Sequence, residues 1–272
     1  DNLNCLQQVS STLMRENWDM AIIVVTGTDR LHHFLFEAFD DENHPHHRDF
    51  INYYKRLDAF ISEMASLIDH QTLKVFLSDH GFTALKVQVY LNNILKTLGY
   101  LNFTKQDPRF IDDLDPESLA FAMDPTRIYI NSQTRFGASR MPQSRVFETV
   151  MRLKRDLESL KLGDFGLDSA DFPGENNDRL FAEIKLRDEI YSGKHINMAP
   201  DLVVIPRRTI DVKATVNSRN VVSKDIFTGM HTHDDAFLLI GDPDWAARVS
   251  KPHIEQVAAL LPWTSNLIPD LG

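Results

Sequence analysis

Three short stretches of this chain place carboxylates and imidazoles where they could hold a metal ion. Thr72 to Phe82 reads TLKVFLSDHGF, and its apolar run Val75-Phe76-Leu77 ends in Ser78-Asp79-His80-Gly81. Asp19 to His33 reads DMAIIVVTGTDRLHH, where Ile22-Ile23-Val24-Val25 is followed by Thr26-Gly27-Thr28 and then Asp29. Asp29 and His33 are four residues apart, so a helix that begins here puts them on one face, one turn apart. Near the other end, Gly229 to Asp235 reads GMHTHDD, just ahead of the apolar run Ala236 to Ile240. A carboxylate beside an imidazole suits a hard or borderline divalent cation. The Asp79-His80 pair taken alone admits a second job, with Asp79 capping the next helix and His80 packed.

These residues need elements to position them. A short apolar run bounded by polar residues and glycine reads as a buried strand. In open α/β sheets, ligands gather beyond the carboxyl ends of such strands. The near-continuous runs Ile22 to Val25 and Val75 to Leu77 are therefore expected to be neighbouring central strands of a mostly parallel sheet, with helices on both faces. Asp49 to Asp69 reads as the crossover helix between them, with Phe50, Tyr54, Leu57, Phe60, Met64 and Leu67 at helical spacing. Asp1 to Arg15 reads as a helix with Leu3, Leu6, Val9 and Leu13 on one face. Val89 to Leu98 reads as a helix ended by Gly99, Arg127 to Asn131 and Asp201 to Pro206 as strands, and Ser144 to Leu160 and Pro252 to Leu261 as helices. Lys105 to Leu119 and Gly163 to Asp178 are acidic loops. One domain over 1–272 is expected, with roughly 100–200 as an inserted lobe over the sheet.

Composition narrows the function. The 272 residues are 43% hydrophobic and 25% charged, ordinary for a globular protein. The net charge of -10 and the lack of a Lys/Arg cluster argue against duplex nucleic acid. A small phosphorylated substrate stays open, because bound cations can supply positive charge locally. The single cysteine, Cys5, excludes an internal disulfide framework. No apolar run approaches the length of a membrane span. No signal peptide is visible, so the expected compartment is the cytoplasm, unless a leader precedes Asp1. The His-rich stretch Asn43 to His47 reads as a solvated loop. His231-Thr232-His233-Asp234-Asp235 matches the start of H-x-H-x-D-H, but position 236 is Ala, so the closing histidine is absent. Neither a G-x-S-x-G elbow nor a G-x-x-x-x-G-K-[ST] loop occurs.

The ordered set GTDRLHHF, SDHGF and GMHTHDD resembles the metal-binding half of the alkaline-phosphatase superfamily, in its type I phosphodiesterase / nucleotide pyrophosphatase branch. YYKRLD at Tyr53 to Asp58, VYLNN at Val89 to Asn93, IYIN at Ile128 to Asn131 and APDLVV at Ala199 to Val204 add to it. Phe103 to Pro125 and Leu162 to Asp178 match poorly. The resemblance implies an α/β/α sandwich that is incomplete at its N-terminus, because the family opens on a strand with a metal-binding Asp and then a Thr or Ser nucleophile. Nothing before Asp19 fits that strand. The resemblance also implies that the middle section shapes the substrate pocket.

By the same resemblance, Asp29, His33 and one C-terminal histidine would hold a first divalent metal, and Asp79 and His80 a second. Gly229-Met230-His231 fits the family's Gly-x-His pattern, which favours His231. His233 and Asp235 would then be outer-sphere or substrate-facing, with His233 as ligand the alternative. Zinc suits histidine and carboxylate, and manganese is the alternative. The expected activity is a two-metal phosphoric ester hydrolase working through a covalent phospho-enzyme whose nucleophile lies outside this chain. The competing expectation is a non-catalytic metal-binding fragment or pseudoenzyme. Either way, this chain alone is expected to be inactive.

Overall fold

The computed structural model describes residues 2–109, 111–172 and 178–247. The expected closing helix, Pro252 to Leu261, and the turn after it lie outside the described residues. The chain divides into two compact units, one built from described residues of Asp1–Ala84 and Thr228–Gly272, the other from those of Leu85–Phe227.

The first unit opens with three helices, α1 (Asn2–Leu13), α2 (Gly27–Asp40) and α3 (His47–Leu67), then two strands, β1 (Val75–Leu77) and β2 (Gly81–Ala84). The stripe on α3 turns Phe50, Phe60 and Met64 inward, and Phe60 and Met64 close on Leu3 of α1. Val9 and Leu13 of α1 are exposed, and Ser10 takes the inward place. The helix is rolled by polar contacts to α3: Ser11 donates to Glu63 Oε1 at 2.9 Å, and Arg56 Nη2 donates to Asn4 Oδ1 at 2.8 Å. The apolar spacing alone does not register those contacts.

Ile22 to Val25 is not a strand in the described structure. Ile23 and Val25 pack against the α1–α3 cluster, whereas Ile22 and Val24 are 75% and 69% exposed. The segment alternates inward and outward as a strand does, but no ladder partner is found for it among the described residues. The expected parallel pairing with Val75 to Leu77 is therefore corrected.

The second unit runs through β3 (Val87–Tyr90), α4 (Leu91–Thr97), β4 (Ala120–Asp124), β5 (Arg127–Ile130), α5 (Val146–Ser159), β6 (Phe181–Leu186), α6 (Arg187–Ile190), β7 (Leu202–Pro206), β8 (Ile210–Lys213) and β9 (Val222–Ser223). Val89 to Leu98, expected as one helix, is divided between β3 and α4. Val87 and Val89 lie opposite Ile210 and Val212 in a parallel ladder, and burial of all four holds these residues extended until Leu91. β9 flanks β3 on its other side, antiparallel. β4, β5, β7 and β6 form an antiparallel sheet in that order. Their apolar faces join Leu91, Ile94 and Leu95 of α4 and Leu153 and Leu157 of α5 in one large core.

The chain then returns to the first unit as β10 (Gly229–Thr232), β11 (Leu238–Ile240) and α7 (Pro243–Ala246). β10 pairs antiparallel with β2, and β11 pairs antiparallel with β1. The fold class is α/β, as expected. Among the described residues the parallel ladder is β3–β8, and the remaining pairs are antiparallel. No described helix is long and apolar enough to cross a membrane.

Candidate metal centre

Asp29 lies in the first turn of α2, and His33 follows one turn later, so the helix presents both together. α2 then breaks at Leu35 (φ -134°, ψ 28°). Thr228 occupies the break: its N–H donates to the His33 carbonyl at 2.8 Å, and its Oγ1 accepts from Phe36 N at 2.7 Å. A side chain inserted into a helix ladder is an ordinary cause of a kink. Here it docks the start of β10 against α2. Gly229 makes that approach feasible, since a Cβ at this position would lie 2.3 Å from the His32 carbonyl oxygen.

The docked β10 carries His231 to the α2 residues. His231 Nε2 is 2.9 Å from Asp29 Oδ1 and 2.9 Å from His33 Nε2. His33 Nε2 lies 3.6 Å from the same Asp29 oxygen. His80 arrives from the turn before β2, with its ring stacked on His231 at 3.7 Å between centroids. Its Nε2 is 3.9 Å from Asp29 Oδ1 and 3.5 Å from Asp79 Oδ1. Gly81 closes that turn, because a Cβ there would sit 2.2 Å from the Asp234 carbonyl oxygen.

Asp29, His33, Asp79, His80 and His231 thus form one connected cluster. Asp29, His80 and His231 each offer a donor atom within 4.8 Å of the others. That grouping joins His80 to Asp29 and His231, whereas the sequence expectation assigned His80, with Asp79, to a second metal beside the one held by Asp29, His33 and His231. His233 lies exposed on the turn after β10, as does Asp235, which holds a left-handed φ of 66°. Between the two candidate histidines, His231 is the one brought to Asp29.

The donor chemistry fits a cation. His33 Nδ1–H donates to the Gly229 carbonyl at 3.0 Å, and His80 Nδ1–H donates to the Gly81 carbonyl at 3.1 Å. Each bond fixes the tautomer, so the Nε2 lone pair of each ring faces the cluster. Burial, with His80 and His33 nearby, holds the His231 pKa below the usual imidazole value, against the opposing pull of Asp29. A neutral imidazole is the ligating form.

Behind the cluster lies an aromatic layer that sequence spacing did not reveal. Phe82 is directly opposite His231 in the β2–β10 ladder. His32 stacks on Phe82 at 4.9 Å, and burial lowers its pKa. Long-range pairing of β2 with β10 creates these contacts, and no local pattern signals it.

The sequence matches the type I phosphodiesterase / nucleotide pyrophosphatase family over residues 3–234. The chain belongs to this family. A solved structure, phosphonoacetate hydrolase from Sinorhizobium meliloti 1021 in complex with phosphonoacetate, is similar at 10% identity with a TM-score of 0.41. The match covers 86% of this chain and 50% of that one, so the chain spans about half the length of that hydrolase. No curated protein sequence matches significantly. The family is named for phosphodiester and pyrophosphate chemistry, and the cluster of Asp29, His33, Asp79, His80 and His231 lies within the matched residues.

Proposed function

We propose that this chain is the metal-binding part of a phosphoric ester hydrolase of the phosphodiesterase / nucleotide pyrophosphatase type, acting on a small phosphorylated substrate. The observation that carries the reading is the convergence of Asp29, His80 and His231 on donors within 4.8 Å, with His33 and Asp79 joined to them. Asp29, His33 and His231 would hold one divalent ion, and Asp79 with His80 a second. Zinc is the first choice and manganese the second. When bound, such a pair supplies Lewis-acid charge to the transferring phosphoryl group. The chain's own contribution is orientation: the Gly229 and Gly81 carbonyls set the imidazole tautomers, and Asp29 orients His231.

The attacking hydroxyl would come from outside this chain. Thr28 Oγ1 donates to the Val25 carbonyl at 3.2 Å, and Ser78 Oγ accepts from Phe237 N at 2.9 Å. Thr28 and Ser78 are thus engaged in backbone contacts, and the third nearby hydroxyl, Thr26, likewise precedes the ligands at a segment end. The same observation supports the alternative of a non-catalytic metal-binding protein.

Zinc binding and hydrolysis of a nitrophenyl phosphodiester, measured with added zinc or manganese on this chain and on a longer form of the protein, test the proposal. Zinc bound at Asp29, His33 and His231, with turnover only in the longer form, is expected. Equal turnover in both forms would place the nucleophile here after all, and a wild-type chain that binds neither metal would overturn the reading.

A further inference from the structure

Phe82 touches four imidazoles. It stacks on His32 at 4.9 Å with 25° between planes. It meets His33 edge-on at 5.0 Å and 76°, and His231 edge-on at 5.0 Å and 80°. His80 lies tilted against it at 5.5 Å. All four separations fall in the range where aromatic rings attract beyond simple area burial. Three of those rings carry the donor nitrogens of the cluster.

His32 is itself fixed from behind. Its Nδ1–H donates to the Thr28 carbonyl at 2.9 Å, and its Nε2 accepts from Tyr54 Oη at 3.3 Å. Both ring nitrogens are occupied, and its face is pressed on Phe82. It is therefore held away from the metal cluster although it adjoins His33 in sequence.

A bond from Nδ1–H to a backbone carbonyl sets a histidine's tautomer and its mean χ2, and the broad well of that terminal sp³–sp² torsion still allows the ring to librate. The Gly229 and Gly81 carbonyls set the tautomer and mean orientation of His33 and His80, and leave that residual libration. A rigid ring packed near-perpendicular to His33 and His231 and tilted against His80 narrows it. We infer that Phe82, backed by His32, is a positioning residue that pre-orients His33, His80 and His231 for metal binding. This inference rests on the metal reading proposed above. It assigns Phe82 and His32 a task distinct from ligation, since neither offers a donor to the cluster.

The test is zinc affinity by competition with a chromogenic chelator, and the visible absorption of the cobalt(II)-substituted protein, for wild type, Phe82→Leu, Phe82→Tyr and His32→Gln. Far-UV circular dichroism and metal-free melting report folding for each. Outer-sphere partners of metal-binding histidines typically contribute about 10–100-fold in affinity. Phe82→Leu should lose affinity in that range and alter the cobalt band, while Phe82→Tyr, which keeps the ring, should stay close to wild type. His32→Gln, which loses the backing ring and keeps polar atoms, should fall between them, and it decides the matter where Phe82→Leu does not fold. Unchanged affinity and cobalt spectrum in a folded Phe82→Leu or His32→Gln would overturn this inference and leave the metal reading standing. A wild-type protein without zinc or cobalt binding would overturn both.

Discussion

The two units of this chain use their polar residues in opposite ways. In Leu85–Phe227, the family-like phrases are buried staples. Asn92 of VYLNN accepts from Ala122 N at 2.8 Å through Oδ1 and donates to the Ala122 and Ala214 carbonyls at 2.9 and 2.6 Å. Asn131 of IYIN donates to the Ser118 carbonyl at 2.9 Å. Asp201 of APDLVV accepts from Ile130 N at 2.7 Å and is paired with Arg135 and Arg187. In the first unit, the phrases GTDRLHHF, SDHGF and GMHTHDD gather carboxylates and imidazoles at a partly exposed place over a small core. A phrase typical of a family therefore marks either of two physical jobs, and burial tells them apart. A buried polar group is costly unless it is hydrogen-bonded, and Asn92, Asn131 and Asp201 each have such partners. A partly exposed cluster of donors contributes less to folding, since pairs near the surface are worth little, and leaves its donor atoms open to a ligand.

The contrast breaks most sharply at Asp201, which is 6% exposed. Asp201→Ala leaves Arg135 and Arg187 without their carboxylate and Ile130 N without its acceptor. Removing one partner of a buried pair costs about 3–5 kcal/mol. The expected outcome is a large fall in the urea midpoint. A change under about 1 kcal/mol, of the size seen at exposed pairs, would show that Asp201 is no staple.

The second test lies in the first unit. Zinc at a hundredfold excess over its dissociation constant should stabilise the wild-type fold by about 2.7 kcal/mol through mass action. His231→Ala should remove that gain. Without metal, the same substitution should cost only about 0.5–1.5 kcal/mol, for the lost ring contacts to His80 and Phe82. Melting with zinc and with chelator separates the two effects. A large loss in the chelated protein would make His231 a structural residue like Asn92.

A third test concerns the approach of β10 to α2. In Gly229→Ala the new methyl group meets the His32 backbone oxygen, which cannot rotate away. Overpacking of this kind costs about 1–3 kcal/mol. Zinc affinity should fall further than that of an exposed alanine substitution elsewhere, because the strand that carries His231 is displaced. Wild-type affinity in Gly229→Ala would show that β10 can shift without moving the site.

The legible parts of the chain were those whose signal is local. The stripe on α3, the extended run Val75–Leu77 and the one-turn spacing of Asp29 and His33 are local signals, and the structure has each of them. Val75–Leu77 is nonetheless partly exposed and antiparallel to β11 rather than buried, central and parallel. Errors arose where a distant partner decides the conformation. Val89 is strand because β8 lies beside it. Val9 and Leu13 face outward because Glu63 and Arg56 roll α1. Ile22 to Val25 has strand alternation but no ladder among the described residues. The aromatic backing of the cluster was invisible for the same reason, since Phe82 meets His231 only through the β2–β10 register.

The smallest expected effect tests the large core at high pH. Tyr100 is 2% exposed, donates to Asp156 Oδ2 at 2.6 Å and accepts from Arg152 Nε at 3.0 Å. Burial first, and the bond to Asp156 second, push its pKa up to about 12. The unfolded chain releases this proton near the ordinary value of 10, while the folded chain keeps it. Between those values the folded state binds more protons, so stability falls as pH rises. The contribution is fully present below pH 10 and declines toward about 12. Tyr100→Phe cannot release a proton in either state, so its stability should fall less steeply across that window, although it starts lower for want of the Asp156 bond. Tyr53 and Tyr54 of the first unit are raised in the same direction and titrate in both proteins, so the difference between wild type and Tyr100→Phe isolates the second unit. Urea midpoints at pH 9, 10 and 11 measure it. Parallel lines for the two proteins would mean that Tyr100 ionises as freely in the core as in water, and that this core is wetter than its burial implies.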